Sequence, residues 1–326
     1  MPQVYFIKLN ELEKIKELLP QFKAPLGVKV HFGEEGNITF VPANLIKAIT
    51  DMAANPTLIE CSVLYKSPRS TAQGHKQVAL NHGFNFAPLD FLDGEEGDDN
   101  IVVEIDGRHF KQCYLGKGLA KYNSILAISH FKGHGGSGFG GALKNMGMGL
   151  ASRRGKLAIH ASIKHQVDTE RCISCGTCIA QCPEQAISFN QDQKAEINYD
   201  LCISCSKCIS VCPQSAIRIP WDSTGSQDLQ ERIAEYTKAV VAGRQCYYIN
   251  FLINITHTCD CAGKEMEKIT EDIGVLASSD PVAIDQASYD LVVKQFKAFK
   301  DHSGDYQLQH GEKIILGKRE YELINL

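Results

Sequence analysis

Eight cysteines near the middle of the chain fall into two runs with the same spacing, and a proline closes each run. The runs are Cys172-x2-Cys175-x2-Cys178-x3-Cys182-Pro183 and Cys202-x2-Cys205-x2-Cys208-x3-Cys212-Pro213. Cysteines at this spacing bind [4Fe-4S] clusters, because three thiolates of a run hold one cluster and the fourth reaches the other cluster. The proline after the fourth cysteine turns the chain away from its own cluster. The spacing therefore predicts two clusters.

The crossed pattern also predicts which cysteines share a cluster. One set is Cys172, Cys175, Cys178 and Cys212, and the other is Cys202, Cys205, Cys208 and Cys182. Zinc is the weaker interpretation, since it takes four ligands per ion and does not need three cysteines as C-x2-C-x2-C followed by Cys-Pro. Disulfides suit small secreted domains, and nothing in this sequence indicates secretion.

The residues between the cysteines repeat as well. The matched positions are Ile173 with Ile203, Ile179 with Ile209, and Ala186-Ile187 with Ala216-Ile217. The segment from about 168 to 219 therefore resembles the bacterial two-[4Fe-4S] ferredoxin family. The resemblance implies an α+β ferredoxin-like domain that transfers electrons, with apolar side chains that exclude water from the clusters and tune their potentials.

A glycine-rich stretch follows an apolar strand predicted over 124–129. In open α/β sheets ligands bind beyond the carboxyl ends of the strands, and glycine lets the backbone approach a ligand closely. The N–H groups of a following helix favour an anion there. The candidate catalytic residues are His130, Lys132, His134, Lys144 and Asn145. Lysines would neutralise developing negative charge and a histidine would move a proton. The alternative is a tightly turned structural loop.

A third candidate site consists of His257, Cys259 and Cys261. Alternate residues of an extended chain point the same way, so the three side chains are expected to face one pocket. Imidazole and thiolate ligands suit zinc, copper or iron. The sequence predicts either a metal or thiol site, brought close to the His130–His134 stretch, or small buried side chains at a strand end.

Apolar patterns on both sides of the cysteine runs predict alternating strands and helices. We therefore expect an α/β host domain, a mixed or parallel sheet covered by helices, with the cysteine segment inserted into it. The predicted boundaries are 1–165, 166–221 and 222–326. Among the local features, Asp280 and Pro281 are expected to begin a helix and residues 313–326 to form a terminal hairpin. The basic residues 153–156 are expected to form a solvated or carboxylate-paired surface, and the alternative is that they meet the acidic cluster lobe or a substrate anion.

The composition and charge of the chain argue against two classes of partner. The chain has 326 residues with a net charge of −4, and bound clusters would make it more acidic, so neither nucleic acid nor a membrane is an expected partner. No signal-peptide pattern or membrane-length apolar run is present. Thiolates that bind iron imply a reducing compartment, so we expect the protein in the cytoplasm.

A second resemblance covers nearly all of the remaining chain. Residues 28–36, 130–156, 256–261 and 279–285 resemble the family catalogued as domain of unknown function 362, whose members often carry a ferredoxin insert. That resemblance implies no particular reaction, and the sequence leaves a flavin or a further metal open.

Our main interpretation is a cytoplasmic iron–sulfur oxidoreductase or electron-transfer protein. Two clusters would pass electrons to a site in the host domain, and the partner would be a redox protein or a small anionic substrate. The alternatives are a ferredoxin-type carrier that docks a partner enzyme, and a protein that handles metal or clusters through Cys259 and Cys261.

Overall fold

The structure is a computed structural model that describes residues 1–160, 165–202, 207–218 and 226–326. Cys205 and Ile203, and the predicted boundary near 221, lie outside these ranges. The strands are β1 (Gln3–Ile7), β2 (Leu26–Lys29), β3 (Pro56–Glu60), β4 (Leu89–Phe91), β5 (Asn100–Glu104), β6 (Gln112–Gly116), β7 (Ser124–His130), β8 (Lys132–His134), β9 (Gly138–Gly140), β10 (Gln166–Val167), β11 (Ile187–Phe189), β12 (Ala195–Ile197), β13 (Ile217–Arg218), β14 (Gln245–Leu252), β15 (Gly274–Ser278) and β16 (Glu322–Asn325).

Ten α-helices lie in the same described ranges. They are α1 (Ile15–Leu18), α2 (Ala43–Thr50), α3 (Ala72–Asn81), α4 (Ala142–Gly147), α5 (Arg153–His160), α6 (Thr177–Ala180), α7 (Lys207–Val211), α8 (Ser226–Val241), α9 (Pro281–Gln295) and α10 (Asp305–Lys313). Helix α9 begins as predicted, because the Asp280 carboxylate accepts the backbone N–H groups of Val282 and Ala283. Within the described chain, no helix combines the length and the apolar character needed to span a membrane.

One eight-stranded sheet organises the chain, in the order β16-β1-β15-β14-β7-β2-β3-β4. Its neighbours β14, β7, β2, β3 and β4 run parallel, whereas β15 is antiparallel to both β1 and β14. The predicted mixed or parallel sheet is therefore confirmed. Strands β7 and β14 lie on opposite sides of the cysteine segment in sequence and pair from Ser124–Gln245 to His130–Phe251. Residues before and after that segment thus build one sheet.

Helices cover both faces of the sheet, as the alternating directions of the β7 side chains show. Ile125 and Ala127 belong to a core with residues of α4, α8 and α9, whereas Leu126 and Ile128 belong to a second core with residues of α2 and α3. Successive side chains of a strand point to opposite faces, so one buried strand contributes to two cores.

The cysteine segment has its own small α+β structure. Strands β10 and β13 pair, β11 and β12 pair, and α6 and α7 each carry the third cysteine of a run. Its two halves repeat a backbone contact, since Ala186 N–H donates to Cys182 Sγ and Ala216 N–H donates to Cys212 Sγ, both at 3.2 Å. The ferredoxin-like character and the exact boundaries of this segment stay predictions.

The predicted terminal hairpin is wrong. Helix α10 ends at Lys313, the first residue of that region, and β16 pairs parallel with β1 at the edge of the main sheet. Helix α10 forms because Leu308 is buried in the core and Gly311 packs closely against Val282 of α9. Long-range packing thus overrides the local turn pattern.

Candidate functional site

A cavity of about 540 Å³ lies at the carboxyl edge of the parallel strands. Lys29 ends β2, Glu60 ends β3 and His130 ends β7, and all three line it. The cavity therefore lies where an open α/β sheet is expected to bind a ligand. Of the predicted residues, the structure places all five of the glycine-rich stretch around this cavity, together with Cys259 and Cys261.

The described lining is strongly cationic. The basic side chains are Lys29, Arg69, Lys132, Lys144 and Lys156, and the acidic one is Glu60. Of the interpretations of the basic residues 153–156, the solvated surface is wrong, because Arg153 and Lys156 are buried on α5, and Lys156 lines the cavity. The Lys156 ammonium donates to the carbonyls of Ala151 at 2.5 Å and Gly149 at 3.3 Å, which draws it inward.

Lys29 and Asn145 hold each other in place. The Lys29 ammonium has three acceptors, at 2.7 Å to Val30 O, 2.7 Å to Asn145 Oδ1 and 3.0 Å to Glu60 Oε1. The Asn145 amide donates to Ile128 O at 3.1 Å and to a second acceptor on β7. Burial lowers the pKa of Lys29 to about 8, although Glu60 partly offsets that effect. Both side chains are thus committed to positioning the strand ends.

Glu60 and Arg69 fix the orientation of His31. Burial opposes ionisation of Glu60, but the charges of Lys29 and Arg69 hold its pKa well below the usual range. Arg69 Nη2 lies 3.2 Å from His31 Nδ1, and a guanidinium can only donate, so Nδ1 accepts. The proton of the neutral ring then lies on Nε2, which has no partner among the described residues. Burial and Arg69 lower the pKa of His31, so the ring is neutral and its Nε2 hydrogen is buried.

His130 is held by two acceptors. Its Nδ1 lies 2.8 Å from Asp260 Oδ2, and its Nε2 lies 2.7 Å from the Ile253 carbonyl. Lys132 lies 3.4 Å from the same Asp260 oxygen and 2.9 Å from His130 O. Burial opposes ionisation of Asp260, but His130 and Lys132 hold its pKa well below the usual range. His130 therefore positions Asp260 and Lys132.

His134 is a neutral imidazole at the cavity wall. Burial, followed by the charge of Lys144, lowers the pKa of His134 to about 3. Its Nδ1 accepts the backbone N–H groups of Gly136 at 3.1 Å and Ser137 at 2.9 Å. Burial and Lys144 likewise lower the pKa of His160 to about 3. The glycine-rich turn thus directs two of its N–H groups to a side chain of the protein.

Asp285 occupies the start of α4, where the sequence predicted an anion. Its carboxylate accepts Ala142 N–H at 2.7 Å and Leu143 N–H at 2.9 Å, and Asn250 Nδ2 donates to it at 2.7 Å. Gly141 is required there, because a Cβ atom would collide with the carboxylate. Burial raises the pKa of Asp285 to about 6. The expected anion site at this helix start is filled by the protein itself.

Replacing Asp285 with Ala is expected to lower the free energy of unfolding by about 3 kcal/mol, because buried N–H donors of α4 and Asn250 lose their acceptor. Urea denaturation of the purified variant measures this loss. The matched control is Lys294→Ala, an exposed position on the same helix α9, which we expect to change stability by less than about 0.5 kcal/mol. Equal effects at both positions would contradict the capping role.

The structure does not bring His257 to the two thiols. His257 is exposed and its Nδ1 lies 2.9 Å from His302 Nε2. A turn, closed by Ala262 N–H donating to Cys259 O at 3.0 Å, replaces the extended chain that the sequence interpretation assumed. Cys259 is buried and Cys261 is exposed, and both residues line the cavity.

Cys259 is poised as a thiolate. The Cys261 thiol donates to its sulfur and Lys144 Nζ lies 3.5 Å away, so the pKa of Cys259 falls well below its usual range despite burial. The pKa of Cys261 rises well above its usual range because it donates to that sulfur and because the charge on Cys259 disfavours a second charge beside it. One thiolate and one thiol therefore share the turn.

The cysteines of the first predicted cluster set meet across the two runs. Cys172, Cys175 and Cys178 line one small cavity together with Cys212. Of the second set, Cys202, Cys208 and Cys182 lie in one apolar cluster, and Cys205 is outside the described residues. The thiolate-rich lining, with backbone N–H groups directed at Cys182 and Cys212, suits an iron–sulfur cluster.

The cysteine segment packs against the cationic cavity. Leu64 lines that cavity and also packs in the apolar cluster that contains Cys178 and Cys208. His165 follows the end of α5 by a few residues in sequence, and its Nε2 lies 3.4 Å from Cys208 Sγ. The two predicted centres are therefore neighbours.

Sequence reasoning missed Lys29, His31, Glu60 and Arg69. A charged residue that ends an apolar strand was the available signal for Lys29 and Glu60. A further acidic group, His109, Asp228 and Glu231, has ligand atoms within 4.8 Å of one another. There Arg108 Nη1 donates to both Glu231 oxygens, at 3.0 and 2.9 Å, so this group is already paired within the protein.

Comparisons with solved structures give distant similarities. One is the lactate racemase apoprotein from Thermoanaerobacterium thermosaccharolyticum, with 12% identity and a TM-score of 0.37 over 78% of this chain and 51% of that chain. Another is a protein from Thermotoga maritima, with 11% identity and a TM-score of 0.40 over 93% of this chain and 57% of that chain. The chain thus spans little more than half the length of these two structures. No curated protein sequence matches it.

A family comparison covers most of the chain. The family described as "Domain of unknown function (DUF362)" matches residues 26–290, which include the parallel strands, the cavity and the cysteine segment. The chain therefore belongs to the DUF362 family.

Proposed function

We propose that this protein is an iron–sulfur oxidoreductase, in which two [4Fe-4S] clusters exchange electrons with a small anionic substrate in the cationic cavity. The observation that carries the proposal is the meeting of Cys172, Cys175 and Cys178 with Cys212 from the other run. Only a crossed pairing of two cysteine runs needs that arrangement. When bound, the clusters supply one-electron transfer.

Three kinds of side chain would handle the substrate. Lys132 and Lys144 would bind its negative charge, because the Lys29 ammonium already has three acceptors within the protein. The neutral ring of His31 would contact the substrate at the cavity wall without adding charge. The neutral ring of His134 adds no positive charge and narrows the cavity beside Lys144.

Electrons would be exchanged with a redox partner protein at the cysteine segment. Ile173 is 57% exposed and Leu201 is 52% exposed, and each lies next to a predicted ligand. Exposed apolar side chains of this kind are typical of contact surfaces. Such a surface also fits the alternative of a carrier that docks a partner enzyme, and the anion experiment separates the two.

Anaerobically purified protein should contain about eight iron atoms per chain, with the visible and paramagnetic spectra of [4Fe-4S] clusters. Citrate, titrated as a test anion by calorimetry, should bind with an affinity that Lys144→Gln lowers about tenfold, because one buried ion pair is lost. Lys117→Gln, which changes an exposed lysine, is the matched control.

Each outcome has a distinct meaning. Zinc in place of iron would contradict the clusters and with them the oxidoreductase. Normal clusters with no anion binding, or with binding that Lys144→Gln leaves unchanged, would favour the carrier over the enzyme.

A further inference from the structure

Hydrogen bonds and an ion pair hold the centre of the turn from Cys259 to Ala262 in place. The buried Asp260 carboxylate lies between His130 at 2.8 Å and Lys132 at 3.4 Å on one oxygen, and Thr39 donates to the other at 3.3 Å. Asn37 Nδ2 donates to the Ala262 carbonyl at 3.2 Å. Contacts from two separate segments, 37–39 and 130–132, thus hold one short turn, and both of its cysteines line the cavity.

The two cysteines lie in one turn. The chain reverses between them, because Ala262 N–H donates to Cys259 O at 3.0 Å, and both residues line the cavity. A turn brings α-carbons that are two residues apart nearer than an extended chain does, into the range that a disulfide allows. Cys259 lies beside the Lys144 ammonium, which is 3.5 Å from its sulfur, and both cysteines line the cavity.

We propose that Cys259 and Cys261 are a dithiol–disulfide couple, and that its substrate is a small disulfide that carries carboxylate groups. The thiol chemistry follows from the paired sulfurs, and the carboxylates follow from Lys132, Lys144 and Lys156 around them. The choice of an anionic substrate rests on the proposed function; the couple itself does not.

The exchange balances in two steps. The Cys259 thiolate attacks one sulfur of the substrate, the substrate S–S bond breaks, and one substrate thiolate leaves. Cys261 then gives its proton to that thiolate and attacks the Cys259 sulfur, and the second substrate thiolate leaves and takes a proton from water. The pair loses two electrons and the substrate gains two. A dithiol reductant returns the pair to its starting state by the reverse exchange.

Peptide mapping tests the couple on the intact protein. Reduced, anaerobic protein is mixed with 2,2′-dithiodiacetate, an anionic disulfide, or with cystamine, a cationic disulfide of similar size. Free thiols are then alkylated and the tryptic peptide 245–264 is weighed. We expect dithiodiacetate to leave Cys246 as the alkylated residue and to join Cys259 to Cys261, about tenfold faster than cystamine does.

The variant Cys261→Ser gives the matched control. It should trap the probe on Cys259 as a mixed disulfide, because the second step is lost. Alkylation of all three cysteines after either probe, or no adduct in Cys261→Ser, would contradict the proposal that Cys259 and Cys261 form a dithiol–disulfide couple. Equal rates with the two probes would overturn the anionic substrate. Iron measured in the same samples reports separately on the clusters, so a failure of the proposed function is distinguishable from a failure of the thiol pair.

Discussion

Replacing Cys212 with Ala is expected to remove the iron of the first cluster, about half of the total, and to leave the second cluster in place. Cys212 belongs to the second run in sequence, but it lies with Cys172, Cys175 and Cys178 around one cavity. A cluster that loses one of four thiolates is expected to be lost or strongly weakened. Iron analysis and paramagnetic resonance of the anaerobic variant measure the change.

The crossed assignment makes a reciprocal prediction. Cys182→Ala should remove the other cluster, since Cys182 belongs to the first run but would serve the second set. Cys246→Ala, which changes a cysteine of β14 outside both runs, should keep the full iron content. If Cys212→Ala and Cys182→Ala disrupted the clusters in the opposite assignment, each run would hold its own cluster and the crossed model would be wrong.

The strand ends show what the sequence could predict about the site. The apolar strand β7 followed by histidine, lysine and glycine pointed to the carboxyl edge of the sheet, and the cavity lies there. Lys29 and Glu60 escaped notice because a charge at the end of a short strand is usually solvated. Only the parallel pairing of β2 with β3 brings their charged atoms to 3.0 Å.

Two other features depend on contacts that no local pattern contains. The helix start at Ala142 looked open to an anion, but Asp285, far along the chain, fills it. The spacing of His257, Cys259 and Cys261 suggested one face of an extended chain, but the clamp on Asp260 imposes a turn. The repeating cysteine runs were predictable because their ligand geometry is encoded in the spacing itself.

Replacing Lys144 with Gln is expected to slow alkylation of Cys259 at pH 7 by about tenfold or more. In the wild type, the Cys261 thiol and Lys144 both stabilise the Cys259 thiolate and hold its pKa well below the usual range. Loss of a positive charge within hydrogen-bonding distance of a thiolate raises its pKa by about 1–3 units. Iodoacetamide labelling of peptide 245–264 across a pH series measures the midpoint.

The lowered pKa of Cys259 also determines how the stability of the fold depends on pH. A thiol whose pKa is lowered in the folded state stabilises the fold above its ordinary pKa, and this stabilisation is lost as the pH falls through the folded value. Lys144→Gln should therefore lose stability relative to the wild type at alkaline pH and approach it at acidic pH. Cys246 in the same peptide is the internal control, since burial raises its pKa to about 11 and keeps it slow to alkylate in both proteins. An unchanged Cys259 midpoint in Lys144→Gln would mean that Cys261 alone activates the thiolate.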